Sequence, residues 1–560
     1  MFDAIVIGTG ISGGWAAKEL CEQGLKTLVL ERGRDVKHVE DYPTWNKELW
    51  DFDYQGLPSQ QEVKTQYKQA RTGFATSPAI KHWFVDDLKH PYNEKKRFDW
   101  FRGYHVGGRS ITWGRQCLRL SDLDFEANKV DNIAVDWPIR YKDIAPWYDK
   151  VEKFIGVFGE SLGLPHLPDG QFLPPMELNC VETDFRDKIQ ASYPDRRLTI
   201  GRFANITGDQ QFEGRGKCMY RNRCNRGCPF GAYFSSNSST LPAAERTGNM
   251  TLRPHSIVSK IVYDDKQGKA IGVEVIDALT HEKIVFHAKV IFCCASTVAT
   301  TSILLNSISD RFPNGLGNDS GELGHNLMDH HFRVGATAIV DGYDDKFYKG
   351  MRPASFHIPR FRNLDPHKRE HKFLRGYGFQ GSASRLNWQR AIPELSFGKE
   401  LKEELFKPGP WRIGMTGFGE CLPYHENKMT LNYEKLDTWG LPTVEFDCEF
   451  KDNEKEMRKD MQQEAVKMFE MAGFKNIEAY EEECFPGHAI HEMGTARMGH
   501  SPKTSVLNKH NQIHSVPNVY VTDGACMTSS AYQNPSLTYM ALTARAAHHA
   551  VKQLKGIEDE

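Results

Sequence analysis

No stretch of this 560-residue chain is apolar for the ~18–20 residues that a membrane-crossing helix needs, so no transmembrane segment is expected. Charge of either sign is not in excess: 71 Lys and Arg face 73 Asp and Glu, the net charge is -2, and no basic block occurs. A nucleic-acid partner needs a concentrated positive surface, and that class is set aside; small neutral or anionic ligands fit better. Cysteine is too sparse for a disulfide scaffold, at 12 in 560 residues. Internal repeats and low-complexity tracts are missing as well. The first apolar strand starts at Phe2, which leaves no room ahead of it for an export signal, so none is expected within this chain. What remains is a globular chain several times the usual length of roughly 100–200 residues per domain, and two domains wound around each other are expected.

The residues from Met1 to Gly33 have a definite order. An apolar strand (Phe2 to Ile7) runs into a G-x-G-x-x-G turn at Gly8, Gly10 and Gly13. A helical pattern over Trp15 to Gln23 and a second strand over Lys26 to Leu30 follow, closed by Glu31, 23 residues after Gly8. This is the outline of a dinucleotide-binding unit. The glycines let backbone N–H groups approach a pyrophosphate at the helix N-terminus, and the acid can accept hydrogen bonds from ribose hydroxyls.

Three of the cysteines are grouped. Cys218, Cys224 and Cys228 form a C-x5-C-x3-C-P run, set among Lys217, Arg221, Arg223 and Arg226. Thiolates this close can wrap an iron–sulfur cluster whose negative charge the basic residues offset, and three ligands point to a [3Fe-4S] cluster. Zinc is the main competitor, but no second C-x2-C or nearby histidine pair completes a four-ligand set; free thiols and a disulfide also stay open.

Near the C-terminus the sequence reads GHAIHEMGTARMG over 487–499, then Val519-Tyr520-Val521-Thr522-Asp523-Gly524-Ala525, then Asn534-Pro535-Ser536. With the glycine turn, the stretch Val106-Gly107-Gly108-Arg109-Ser110 and the run Gly324 to His330, these motifs resemble the glucose–methanol–choline (GMC) oxidoreductases from end to end. The resemblance implies an α/β fold in which a Rossmann-like FAD-binding domain is interleaved with an antiparallel-sheet substrate domain. It places His491 as the base near the flavin, with Asn534 as its partner, and it implies FAD contact by Gly107, Gly108, Val258 and Asp523. Chemistry gives an independent reason for such a pair. An alcohol releases hydride only when its O–H proton has somewhere to go, and an imidazole is neutral near pH 7. An amide N–H can stabilise the oxygen as charge develops there. His488, His491 and Glu492 do not make a zinc-peptidase motif, because that needs H-E-x-x-H with the acid between histidines four apart. Where some relatives link flavin to a histidine, this chain has Thr112, so dissociable FAD is expected.

The resemblance divides the chain into an FAD-binding domain (1–38, 96–130, 233–330 and 484–560), a substrate or cap domain (39–95, 131–211 and 331–483) and a cysteine loop (212–232). Alternating runs such as Val334 to Val340 and Val444 to Cys448 read as strands of an antiparallel sheet with one wet face. Tyr377, Phe379, Gln380, Trp388 and Trp411 offer aromatic faces and an amide for a sugar ring, with Gln380, Tyr377 and Trp411 the first candidates. The cysteine loop narrows the resemblance to catalytic subunits of bacterial sugar dehydrogenases. These include glycoside 3-dehydrogenases and the gluconate, fructose and glucose dehydrogenases. That implies oxidation of a glycoside hydroxyl, at C3 by preference, and a small partner subunit bearing an export signal. It further implies a cytochrome c-type or quinone-linked acceptor and a periplasmic location, with a cytoplasmic one equally compatible with the residues. An oxygen-using oxidase, a lyase with structural FAD and a non-catalytic relay subunit are the competing readings.

Overall fold

The computed structural model describes residues 1–557 except 347, 349–351, 366–367, 369 and 387–396, so Trp388 lies outside the described residues. The larger sheet has eight strands, and its centre is parallel. Phe2–Ile7 lies between Thr27–Leu30 and Lys283–Cys293, with registers Ile7 to Leu30 on one side and Ile7 to Cys293 on the other. Met250–Arg253 extends one edge and Val516–Val521 the other, both in parallel. The hairpin Ser256–Asp264 and Lys269–Asp277 pairs back onto Lys283–Cys293. Central strands of a covered parallel sheet must be apolar on both faces, and Ala4, Ile5 and Val6 are indeed fully buried.

The helix Ile11–Glu22 begins four residues before the expected Trp15. Sequence periodicity registers only the apolar face, whereas the first turn is built of Ile11, Ser12, Gly13 and Gly14 and opens on a cavity. Ser536–Lys555 packs beside it, and the Tyr148 hydroxyl shares a 2.8 Å hydrogen bond with Thr538 Oγ1 beneath.

The second sheet is antiparallel and six-stranded, in the order Lys475–Glu481, Val334–Val340, Trp411–Gly419, Tyr377–Arg385, Phe356–Ile358, Thr199–Ile200. One face is covered by the helices Cys180–Ser192 and Asp452–Met471, which bring Val181, Phe185, Met457, Met461 and Phe469 onto Tyr377, Phe379, Trp411 and Ile413. The other face turns toward the parallel domain. A small third sheet, Lys428–Leu436, Pro442–Asp447 and Asn93–Glu94, closes the far end of the cavity. No helix among the described residues is long and apolar enough to cross a membrane.

Candidate active site

One cavity of about 710 Å³ runs between the parallel sheet and the small third sheet. Gly8, Gly10, Glu31, Gly108, Val258, His491, Asp523 and Asn534 all line it, although they come from the whole length of the sequence. At the nucleotide end, Ile11–Glu22 starts at Gly10 with no side-chain cap, and its first N–H groups are left for a ligand. Gly13 does not line the cavity. Its role is close packing, since a Cβ there would stand 1.9 Å from the Gly8 carbonyl oxygen. The Glu31 carboxylate accepts from Thr9 N (3.2 Å), Thr9 Oγ1 (2.5 Å) and Gly33 N (2.9 Å). Burial raises its pKa against these bonds. Thr9, which no motif singles out, also accepts from Gly107 N at 2.9 Å and so ties the glycine turn to the second loop. Gly107 has φ +88°, and a Cβ on it would meet Asn237 Oδ1 at 1.6 Å; it shapes the loop, while Gly108 faces the cavity.

Toward the other end, Asp523 accepts from Thr300 Oγ1 (2.5 Å) and Ala525 N (3.0 Å), and burial pushes its carboxyl up to about 6. These residues fit FAD: uncapped helix N–H groups for the pyrophosphate, an acid at the end of the second strand that could accept from ribose hydroxyls, and a glycine loop and a second acid along one continuous cavity.

The catalytic candidates meet at the junction of the domains. His491 Nδ1 lies 2.9 Å from His330 Nδ1, and His330 Nε2 lies 2.8 Å from the Ala531 carbonyl oxygen. His491 Nε2 faces Asn534 Nδ2 at 3.5 Å, and Asn534 Oδ1 accepts from Gln380 Nε2 at 2.8 Å. Gln380 therefore orients the amide rather than lining the cavity. Asp329 clamps the backbone of the same loop, accepting from Gly487 N (2.7 Å), Ala489 N (3.1 Å) and His491 N (3.0 Å). Burial, with Glu492 nearby, pushes Asp329 up to about 7. Burial also holds His491 well below the ordinary 6.5 and His330 down to about 4, so both imidazoles are neutral near pH 7.

Two expectations are corrected. Tyr377 and Trp411 are core residues and do not reach the cavity. Tyr377 donates to Asp460 Oδ2 at 2.5 Å beneath the helix Asp452–Met471, and Trp411, 3% exposed, donates to the Tyr343 carbonyl at 3.2 Å. In a strand successive side chains alternate between faces, so Tyr377 and Phe379 point into the core and Gln380 points away from it. His488 is buried beside Asp99, 3.7 Å away, and does not line the cavity.

Cys218, Cys224 and Cys228 occupy one neighbourhood: the charges of Cys224 and Cys228 bear on Cys218 and that of Cys228 on Cys224, and Arg115 bears on Cys218 and Cys224. Burial pushes Cys218 up to about 11 and also raises Cys224. Among the described residues, however, no group of three His, Cys, Asp or Glu side chains is arranged to hold a metal ion, and the thiols are not disposed as a ready ligand set. The loop nevertheless reaches the cavity: Asn222, Cys224 and Asn225 line it, and the turn Cys224–Arg226 packs on the Gly108–Ile111 turn. Beside them the Gln116 amide, 2% exposed, lines the cavity with both its polar atoms unpartnered.

A parallel dinucleotide fold joined to an antiparallel sheet, with a His–Asn pair at their junction, defines a flavoprotein oxidoreductase architecture. The chain matches the GMC oxidoreductase models over residues 201–332 and 423–543. It belongs to the GMC oxidoreductases, FAD-dependent enzymes that act on CH–OH groups of sugars and alcohols. It is 27% identical to a 2-methyl-1,2-propanediol dehydrogenase of Mycolicibacterium austroafricanum, over 100% of this chain and 96% of that one. It is 25% identical to the fructose dehydrogenase large subunit of Gluconobacter japonicus, over 99% and 98%. The solved pyridoxine 4-oxidase of Mesorbium loti shares the fold, with a TM-score of 0.61 and 15% identity over 98% of each chain.

Proposed function

We propose that this chain is the catalytic subunit of a sugar dehydrogenase that oxidises a secondary hydroxyl of a glycoside, at C3 of glucosides or disaccharides, to a ketone. The observation that carries the reading is the placement of His491 Nε2 and Asn534 Nδ2, 3.5 Å apart, on the cavity that also holds the glycine turn. His491 takes the hydroxyl proton, a contribution of about 10²–10⁴ in rate. Asn534 donates to the substrate oxygen as charge develops there. FAD, when bound, accepts the hydride; Gly8, Gly10, Glu31, Gly108, Val258 and Asp523 hold it without a covalent link. A polyhydroxylated substrate is supported by the amides of Gln116, Asn222, Asn225 and Asn534 around this part of the cavity.

Cys218, Cys224 and Cys228 would be the ligands of an iron–sulfur cluster, [3Fe-4S] by their number, and such a cluster would supply single-electron transfer to an outside acceptor. The reading is supported by the shared neighbourhood of the thiols, by the Arg115 charge and by contact with the Gly108–Ile111 turn. A small partner subunit that carries the export signal, a cytochrome c-type or quinone-linked acceptor and a periplasmic location complete the proposal. The name of the Gluconobacter relative, a large subunit, supports the partner. That relative also favours a second reading, in which fructose is the sugar oxidised, with gluconate and glucose as further alternatives.

The test is anaerobic mixing of the FAD-loaded protein with methyl α-D-glucoside, D-fructose and D-gluconate. Flavin bleaching and NMR of the product identify the sugar and the carbon. Bleaching should be lost in His491→Ala with FAD retained; peroxide formation in air would mark an oxidase, and no bleaching by any sugar a lyase.

A further inference from the structure

The contacts of His330 allow one arrangement of protons. A carbonyl oxygen cannot donate, so His330 must donate its Nε2–H to Ala531 O, 2.8 Å away. His330 is neutral, and its Nδ1 is then a bare acceptor. The atom facing it at 2.9 Å is His491 Nδ1, which must carry the hydrogen of that bond. His491 is therefore left with a lone pair on Nε2, the atom that faces Asn534 Nδ2.

We propose that His330 is a positioning residue that locks His491 in its Nδ1–H tautomer, and that the pair is a lock and not a proton relay. The proposal rests on the reading of His491 as the base. Asp329 and His330, adjacent in sequence, divide the work: the carboxylate fixes the backbone of the His491 loop through three N–H groups, and the imidazole fixes the ring. A relay would need a base beyond His330, but its outer nitrogen ends on a carbonyl oxygen and its side chain is fully buried. In the reaction the alcohol O–H bond breaks as an Nε2–H bond forms on His491. The Nδ1–H stays in place, and hydride leaves carbon with its electron pair for the bound FAD. The proton on Nε2 then has only the cavity as its exit. The lock also settles the orientation of Asn534: facing a lone pair, its amide must present Nδ2, and the Oδ1 that this leaves accepts from Gln380 Nε2.

The experiment uses FAD-loaded protein carrying ring-¹⁵N histidine, with the His491 signals identified by their loss in His491→Gln. In the parent, His491 Nδ1 should show the shift of a protonated nitrogen and Nε2 that of an unprotonated one, with His330 the reverse. His330→Leu removes the acceptor, and His491 should pass to a mixture that includes Nε2–H. His330→Asn restores an acceptor oxygen and should restore Nδ1–H. A merely structural role for His330 would not move these nitrogen shifts. With methyl α-D-glucoside, flavin reduction should slow by about 10²-fold in His330→Leu, since a wrongly protonated base fails while its geometry survives. It should recover about tenfold of that loss in His330→Asn. A parent His491 with its proton on Nε2, or an unchanged Nδ1–H signature in His330→Leu, overturns the lock. If His330→Leu does not fold, the parent and His330→Asn spectra decide. The expected nitrogen shifts in a protein that no sugar reduces would leave the lock standing and overturn the sugar dehydrogenase reading.

Discussion

Arg109 and Glu492 meet in a two-pronged ion pair, with Nη1 3.2 Å from Oε1 and Nη2 3.0 Å from Oε2, across a sequence separation of 383 residues. The pair joins the Gly107–Gly108 loop to the residue that follows His491. The Glu492 side chain is 1% exposed, so the carboxylate depends on this guanidinium.

Arg109→Met should therefore lower stability by about 3 kcal/mol, because one charge of a buried pair is left without its partner. Adding Glu492→Leu should recover part of the loss. Thermal unfolding of the FAD-loaded single and double variants measures both, and an Arg109→Met variant that melts with the parent would remove the pair from the stability account.

Asn534→Ala should slow flavin reduction by about 10²–10³-fold, the effect of losing one donor to a developing oxyanion. Gln380→Leu leaves Asn534 in place but free to turn, so its effect should go the same way and be smaller. Both should appear in the limiting rate at saturating sugar. A change confined to sugar affinity would make Asn534 a binding residue only.

His357 provides a pH test away from the reaction. It donates from Nδ1 to the Phe379 carbonyl at 3.0 Å and stacks on Tyr532, and burial, with the Arg202 charge, pushes it down to about 3 from the ordinary 6.5. Between these values the unfolded chain binds a proton at this position that the folded chain does not, so stability from neutral His357 is lost as pH falls below 6.5. His357→Gln lacks that dependence. The stability of the parent relative to the variant should drop by about 2 kcal/mol between pH 7.5 and pH 5, at ~1.4 kcal/mol per pH unit below 6.5. Denaturant unfolding at the two pH values gives the difference, and a constant difference would mean that His357 titrates as it does in water.

Cys224→Ser should reduce iron content and weaken transfer to a cytochrome-type acceptor, because a serine oxygen is a poor ligand for iron in a sulfur site. Flavin bleaching by sugar should persist, as should turnover with a small dye. Iron analysis, electron paramagnetic resonance and both assays belong on the same preparation. Stoichiometric zinc with no iron in the fresh parent would refute the cluster.

How much of this is legible in the sequence depends on how local the signal is. The glycine turn, Glu31 and the segment around His491 are runs of adjacent residues, and each element can be read where it stands. Val334–Val340 alternates as a half-covered strand must, and the structure gives it those bounds. His330 stays hidden because its contact with His491 bridges 161 residues and depends on ring orientation, which no spacing encodes. Thr9 is hidden in the same way: it looks like filler between two glycines until Gly107 and Glu31 converge on it. Tyr377 and Trp411 mislead for a different reason. Composition marks them as sugar-stacking aromatics, whereas strand parity, which the sequence does contain, places Tyr377 on the face opposite Gln380.

The strand order also sets the timetable of synthesis. Phe2–Ile7 is flanked by Thr27–Leu30 and by Lys283–Cys293, and Val516–Val521 is added beyond the latter. At translation speeds of ~5–20 residues per second, roughly a quarter of a minute to a minute separates Phe2–Ile7 from its neighbour Lys283–Cys293. For much of that time the apolar amino-terminal strand has an open edge. An open strand edge is a hazard for edge-to-edge aggregation, and the cavity that would take the flavin, lined by residues from Ile7 to Tyr539, is complete only when both ends of that span have folded together.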